Sequence, residues 1–249
     1  MTAPERAPLG AALALLLALV SLTGSLSPVL MAICVGVLAL LVGVAWPSLL
    51  ELPSPRGTAI VISAVGIVGA ALAVLTPERF TPMSGVVMVC AVGVFASFVQ
   101  QMLRPERRDL TASLTGTVAG VFVSGTAACW ALAQTEAVAT GRSAVIAALA
   151  LGLATTLLLN ATPLPFWVRL ALSFAAGTAV TAALAIALAG VALPFAIAVG
   201  VLVAVGSTCA QLLVGSSLVA KEPLPSLAVG AVPVATVGVV AHLAALLIP

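Results

Sequence analysis

Apolar residues run along this chain in long unbroken blocks separated by short clusters of Pro, Gly and charge. A hydrocarbon core about 30 Å thick needs roughly 20 apolar residues of helix at about 1.5 Å each. By that measure the pattern predicts nine membrane-spanning helices, near 8–24, 29–46, 57–76, 82–102, 110–134, 143–160, 166–189, 194–217 and 227–248. Stretches such as Ala11 to Val20 are apolar on every side, as a lipid-immersed helix should be. A transmembrane barrel strand would instead alternate apolar and polar residues over about ten positions. The expected fold is therefore an all-α, polytopic transmembrane helical bundle of about nine spans, forming a single integral membrane domain over 1–249.

Two of these spans come from dividing a longer block. The first apolar block is cut at Ser25-Leu26-Ser27-Pro28, because a span of about 40 residues is twice the length needed and Pro suits a first helical turn. The seventh and eighth spans are cut near Gly190 and Pro194. Residues 1–24 look at first like a secretory leader, but Glu5 dilutes the positive start and no small-residue cleavage site follows Val20. An uncleaved first span is expected. No fixed-period repeat is visible, and an odd span count does not divide into two inverted halves.

Charge then orients the bundle. Of 249 residues, 63% are hydrophobic and 6% charged, against about 25% charged in a soluble domain. This excludes a soluble enzyme, a disordered chain and, with a net charge of +2 and no basic cluster interleaved with aromatics, a nucleic-acid partner. With the N-terminus inside, the inner loops hold Arg6, Arg56, Arg104, Arg107, Arg108, Arg169 and Lys221, and the outer loops hold Arg79 and Arg142. That bias predicts an internal N-terminus and an external C-terminus. One Lys against eight Arg, among abundant Ala, Gly, Val and Leu, is a composition associated with bacteria. The expected location is accordingly a bacterial inner membrane.

Candidate chemistry is sparse. All seven acids (Glu5, Glu51, Glu78, Glu106, Asp109, Glu136 and Glu222) fall in expected loops or termini, which argues against proton-driven transport through a buried carboxylate. The single histidine, His242, is expected near the outer interface. Cys34, Cys90, Cys129 and Cys209 sit in separate apolar runs, a spacing that suits helix packing and not a metal cluster. No hydrolase, P-loop or dinucleotide motif occurs, so no catalytic residue, metal or cofactor is expected. Arg169, just inside the seventh span after Pro163, Pro165 and Trp167, reads either as an interfacial Arg or as a holder of an anionic substrate. Asn160, Gln211 and the fifth-span hydroxyls, Thr115 among them, are the uncharged polar groups expected to form a substrate-binding cavity. Arg104, Arg107 and Arg108 are expected to fix topology and meet anionic headgroups. Gln100 and Gln101 close the fourth span, and Gly116-x-x-x-Gly120 marks a close helix crossing in the fifth.

The stretch from Arg107-Arg108-Asp109-Leu110 through Thr115-Gly116-Thr117-Val118-Ala119-Gly120-Val121 resembles a mid-membrane helix of bacterial CDP-diacylglycerol synthases. The segment Gly206-Ser207-Thr208-Cys209-Ala210-Gln211 through Ser216-Ser217 and Lys221 is placed like that family's C-terminal signature. The resemblance implies a helical membrane bundle, but the metal-holding Asp residues, the Lys-Arg pair and the His-Gly-Gly turn are missing here. It therefore implies a relative without cytidylyltransferase activity. The chain as a whole also resembles small actinobacterial membrane proteins of permease type. Two functions are expected in competition. One is a permease handling a small or lipid-like substrate, with membrane lipids as its surroundings. The other is a non-catalytic scaffold whose partner is another membrane protein or a second copy.

Overall fold

The computed structural model describes residues 7–75, 83–105, 109–215 and 223–247. Within them the chain forms nine α-helices: α1 (Ala7–Ser21), α2 (Ser27–Leu49), α3 (Pro55–Leu75), α4 (Ser84–Met102), α5 (Leu110–Ala139), α6 (Ser143–Asn160), α7 (Phe166–Ala189), α8 (Leu193–Gly215) and α9 (Pro225–Leu247). No strand occurs among the described residues. The fold is an all-α polytopic bundle, with a helix at each of the nine expected positions. Eight of them, α2 being counted with the 3-10 turn before it, are long and apolar enough to cross a membrane.

Both divided blocks break where backbone chemistry requires it. Gly24 takes a φ of 73° and opens the 3-10 turn Gly24–Leu26, after which Pro28 lies in the first turn of α2. Gly190 caps α7 in the left-handed conformation at φ 64°, a geometry that glycine adopts without a Cβ penalty. The fifth helix differs from expectation. It runs five residues past 134, carrying Glu136 inside the helix. Alanine, Gln and Glu are good helix formers, so the loss of apolarity marked the edge of the hydrocarbon and not the end of the helix.

Cross-helix contacts fix the direction of several crossings. From one end of the bundle to the other, Thr58 meets Thr117, Gly66 lies against Ser124, and Thr135 donates to the Ala73 carbonyl. The register rises on both helices, so α3 and α5 are parallel. Between them α4 runs the other way, with Gln101 at Ser113, Gly93 at Val121 and Cys90 at Gly125. On the other side α6 and α7 are antiparallel, with Gly152 against Thr181 and Gly177 against Thr156. The first helix has 15 residues, about 22 Å at the usual rise, yet it runs from end to end of the bundle. Gly10 sits beside Gly230 near the start of α9 and Leu157 near the end of α6, while the Ser21 carbonyl accepts from Gln134 near the end of α5.

Helices α2 to α5 pack as one group and α6 to α8 as another, with α1 and α9 packed between them. Trp130, Ile146, Leu149, Leu153 and Leu157 are fully buried in this middle. Outward residues such as Leu19, Ile60, Phe95 and Leu213 are apolar as well, as a surface in contact with lipid must be. Arg56, Arg104 and Arg169 share one end, called the arginine end below, and Arg142 lies at the opposite end. Arg6, Arg79, Arg107, Arg108 and Lys221 lie outside the described residues.

Glycine sets how closely the central helices approach. A Cβ at Gly238 of α9 would overlap the Thr126 carbonyl oxygen of α5 and stand 2.9 Å from the Trp130 ring. Backbone cannot rotate away as a side chain can. Gly238→Leu should therefore cost about 1–3 kcal/mol through overpacking, read as a lowered melting temperature in detergent. Gly206→Ala, whose Cβ would meet only a Val237 methyl at 3.7 Å, should melt like the wild type.

Candidate functional site

The densest polar cluster forms where α3, α4 and α5 meet at the arginine end. Gln100 and Gln101 are neighbours at the end of α4, so their side chains leave the helix on different faces. Gln100 Nε2 donates to Ser54 Oγ at 2.9 Å. Its path lies over Gly57, where a Cβ would stand 2.5 Å from that nitrogen. Gln101 Nε2 donates to Gln100 Oε1 and to Ser113 Oγ, both at 2.8 Å. Arg104, one turn after Gln100, donates from Nη1 to Gln101 Oε1 at 2.8 Å and to Ser113 Oγ at 3.3 Å. Ser113 is fully buried and Gln101 nearly so.

A second tier stiffens this cluster from below. Thr117 Oγ1 donates to the Ser113 carbonyl at 2.7 Å and shares a hydrogen bond of 3.1 Å with Thr58. Trp46 Nε1 donates to the Gly116 carbonyl at 2.8 Å. Its ring and Ile62 occupy the space that a side chain at Gly120 would need. The Gly116-x-x-x-Gly120 face thus receives α2 and α3.

Beside the cluster an open groove of about 500 Å³ runs along α4, lined by Phe95, Ala96, Val99, Gln100, Leu103, Arg104 and Pro105. Phe95, Val99 and Leu103 repeat every fourth residue and so share one helix face; Phe95 and Leu103 are 70% and 79% exposed. The groove is apolar along most of its length and ends at a guanidinium. Among the described residues, no acceptor or carboxylate meets the Nε and Nη2 donors of Arg104. A half-buried guanidinium with free donors is built to take a carboxylate or phosphate in bidentate fashion.

A smaller cluster joins α6, α7 and α8 at the same end. Asn160 Nδ2 donates to Gln211 Oε1, and Ser173 Oγ donates to Asn160 Oδ1 at 3.0 Å. Arg169 lies one turn before Ser173 on the same side of α7, with its guanidinium carbon 6.0 Å from the centre of the Phe166 ring, at the limit of a cation–π contact. Phe166 in turn packs edge-on against Trp167, centroids 5.1 Å apart.

Of the expected substrate-binding residues, the structure joins Asn160 to Gln211 and places Arg169 one turn before Ser173, which bonds Asn160. Thr115 does not belong with them. It is exposed on the far face of α5 and donates to its own Thr111 carbonyl at 2.6 Å. Thr111/Thr115 and Ser113/Thr117 both have helical spacing, and the inward pair is the one flanking the glycines that admit Trp46 and Ile62. The expected single cavity is likewise divided, since Asn160 and Gln211 face α7 while the buried hydroxyls of α5 face α3 and α4. Arg104, expected as a topology residue, is a member of the larger network, bonded to Gln101 and Ser113. Arg107 and Arg108 lie outside the described residues.

Ser54, Thr58 and Ser173 are the members that reading the sequence missed. Their signal was spacing: Ser54 and Thr58 are one turn apart, as are Arg169 and Ser173. Among the described residues no three His, Cys, Asp or Glu side chains converge as metal ligands would.

Gln101→Leu leaves Gln100 Oε1 without its donor and Arg104 Nη1 without its nearest acceptor and should lower stability by about 1–3 kcal/mol, measured by thermal unfolding in detergent. Thr115→Ala should stay within about 0.5 kcal/mol, as an exposed, self-bonded position does. Compared with protein-family models, curated proteins and solved structures, the chain finds no match.

Proposed function

We propose that this multi-pass membrane protein is of permease type and takes an anionic, lipid-like substrate at its arginine end. The observation that carries this reading is the groove along α4, apolar at Phe95, Val99 and Leu103 and closed by Arg104. An acyl chain fits the apolar walls, and an anionic headgroup fits the unused Arg104 donors. Arg56, Arg104 and Arg169 at one end against Arg142 at the other support a cytoplasmic arginine end, in a membrane of bacterial inner-membrane type. Arg169, with Asn160, Ser173 and Gln211 behind it, would offer a second anionic contact at the same interface.

The fully buried apolar middle of the bundle favours a second reading. Leu149, Leu153 and Leu157 of α6 and Trp130 of α5 are fully buried there, as suits a non-catalytic scaffold or partner subunit that binds lipid without moving it.

Reconstitution into liposomes containing labelled phosphatidylglycerol separates the two. Transport predicts that label crosses the bilayer and that Arg104→Ala slows it by about tenfold, equivalent to about 1.4 kcal/mol. Arg169→Ala and Gln211→Ala should slow it less. A lipid that binds but does not cross, together with a stoichiometric protein partner on purification, would favour the scaffold. Absence of both binding and crossing would sink the groove reading altogether.

A further inference from the structure

The end opposite the arginines holds a different kind of site. Gln134 of α5 is fully buried, and its Nε2 donates to Ser27 Oγ at 2.8 Å and to the Ser21 carbonyl at 3.2 Å. Among the described residues its Oε1 has no partner. His242 of α9 is also fully buried, and neither Nδ1 nor Nε2 has a partner among the described residues. The histidine expected near the outer interface is, at this end of the bundle, enclosed by neighbouring helices.

Register brings the two orphans to one level. Trp130 Nε1 donates to the Val234 carbonyl at 2.8 Å, and Gly238 lies against Thr126 and Trp130. Helices α5 and α9 both start at the arginine end, so one further turn on each reaches Gln134 and His242. Glu136, two residues further along α5, is half-buried near the same end. This corrects the expectation that every acid avoids the helices.

The donors and acceptors do not suit a neutral imidazole. Such a ring needs one acceptor for its N–H and one donor for its bare nitrogen. Both Gln134 N–H groups have acceptors within reach already. What α5 leaves open is acceptors, the Gln134 carbonyl and the Glu136 carboxylate, and an imidazolium brings two N–H donors to match. Among described residues, the other titratable or charged groups on helices packed around α9 are Cys129 deeper on α5, Cys34 on α2 and Arg142 at the α6 N-cap; α1 offers none, and α8 only Cys209, toward the arginine end.

We propose that His242 is a proton-binding site inside the bundle, loaded from the end opposite the arginines, with Gln134 and Glu136 as acceptors for its imidazolium. A ring nitrogen lone pair takes a proton from hydronium at that end. The new N–H bond replaces the hydronium O–H bond, water leaves, and the Glu136 carboxylate balances the charge. An ionisable group inside a membrane bundle is most often functional. The site stands apart from the groove reading and would supply a coupling proton whether the substrate is a lipid or not.

Trp130, one to two turns away, can report the event. In protein carrying Trp46→Phe and Trp167→Phe, acidification from about pH 8 to about pH 5 should quench Trp130 emission about twofold as imidazolium forms. The transition should vanish in His242→Asn. Its midpoint should move in Glu136→Gln and stay in Glu51→Gln, Glu51 being exposed at the arginine end. Because His242→Asn could fail to fold, the wild type gives a second reading. The chain has one histidine, so diethyl pyrocarbonate on protein without a histidine tag should add one imidazole adduct in base and none in acid, with the fluorescence midpoint. Flat Trp130 emission, or a histidine that stays unmodified in base, overturns the proposal.

Discussion

A polar atom inside a bilayer has no water to turn to, so one left without a partner in the protein is costly. Much of this structure follows from how differently hydroxyls and amides meet that demand. Ser97, Thr117, Thr155, Thr156 and Thr181 each donate to a carbonyl four residues back on their own helix. A hydroxyl satisfied in this way is sterically a small residue and can be packed into the middle of a span. A carboxamide has two donors and an acceptor and cannot be silenced by one carbonyl. Gln101, Gln134, Asn160 and Gln211 each bond a side chain on another helix, and Gln100 reaches Ser54 in the connection between α2 and α3. All five stand near helix ends, where an imperfect arrangement can still borrow from the interface.

That division also separates what the sequence could show from what it could not. Hydropathy reports contact with lipid, and all nine helices could be read from it, including the breaks at Gly24 and Gly190, because glycine and proline act locally. It does not report helix. Residues 135–139 continue α5 through Thr135 and Glu136 because the backbone has no reason to stop, and only the tertiary fold gives Glu136 a place beside α9. Nor does spacing decide a face when the lipid side is as apolar as the core. Thr111/Thr115 and Ser113/Thr117 were equivalent on paper, and the burial of one pair depends on Trp46 and Ile62, distant in sequence. Arg104 looked like one more charge in a basic loop because its partners, Gln101 and Ser113, belong to two helices.

The two polar ends are connected through one rigid element. Ser113 and Gln134 are both on α5, about 32 Å apart along its axis at the usual rise, and the helix between them packs on α2, α3, α4 and α9. Gly116, Gly120, Gly125 and Ala128 let those neighbours approach closely. A change in the position of α5 at one end cannot be absorbed by a flexible side-chain layer before it reaches the other, because protein interiors packed this closely transmit displacement.

The shortness of α1 bears on the membrane itself. Its 15 helical residues span about 22 Å, against a hydrocarbon layer of about 30 Å, and Leu15, Leu16 and Leu19 face outward from it. Lipids beside a helix of this described length would thin or tilt to cover it, at a fraction of a kcal/mol per ångström of mismatch. The acyl-chain length of the host membrane would then be a variable that acts on the protein without any lipid being bound.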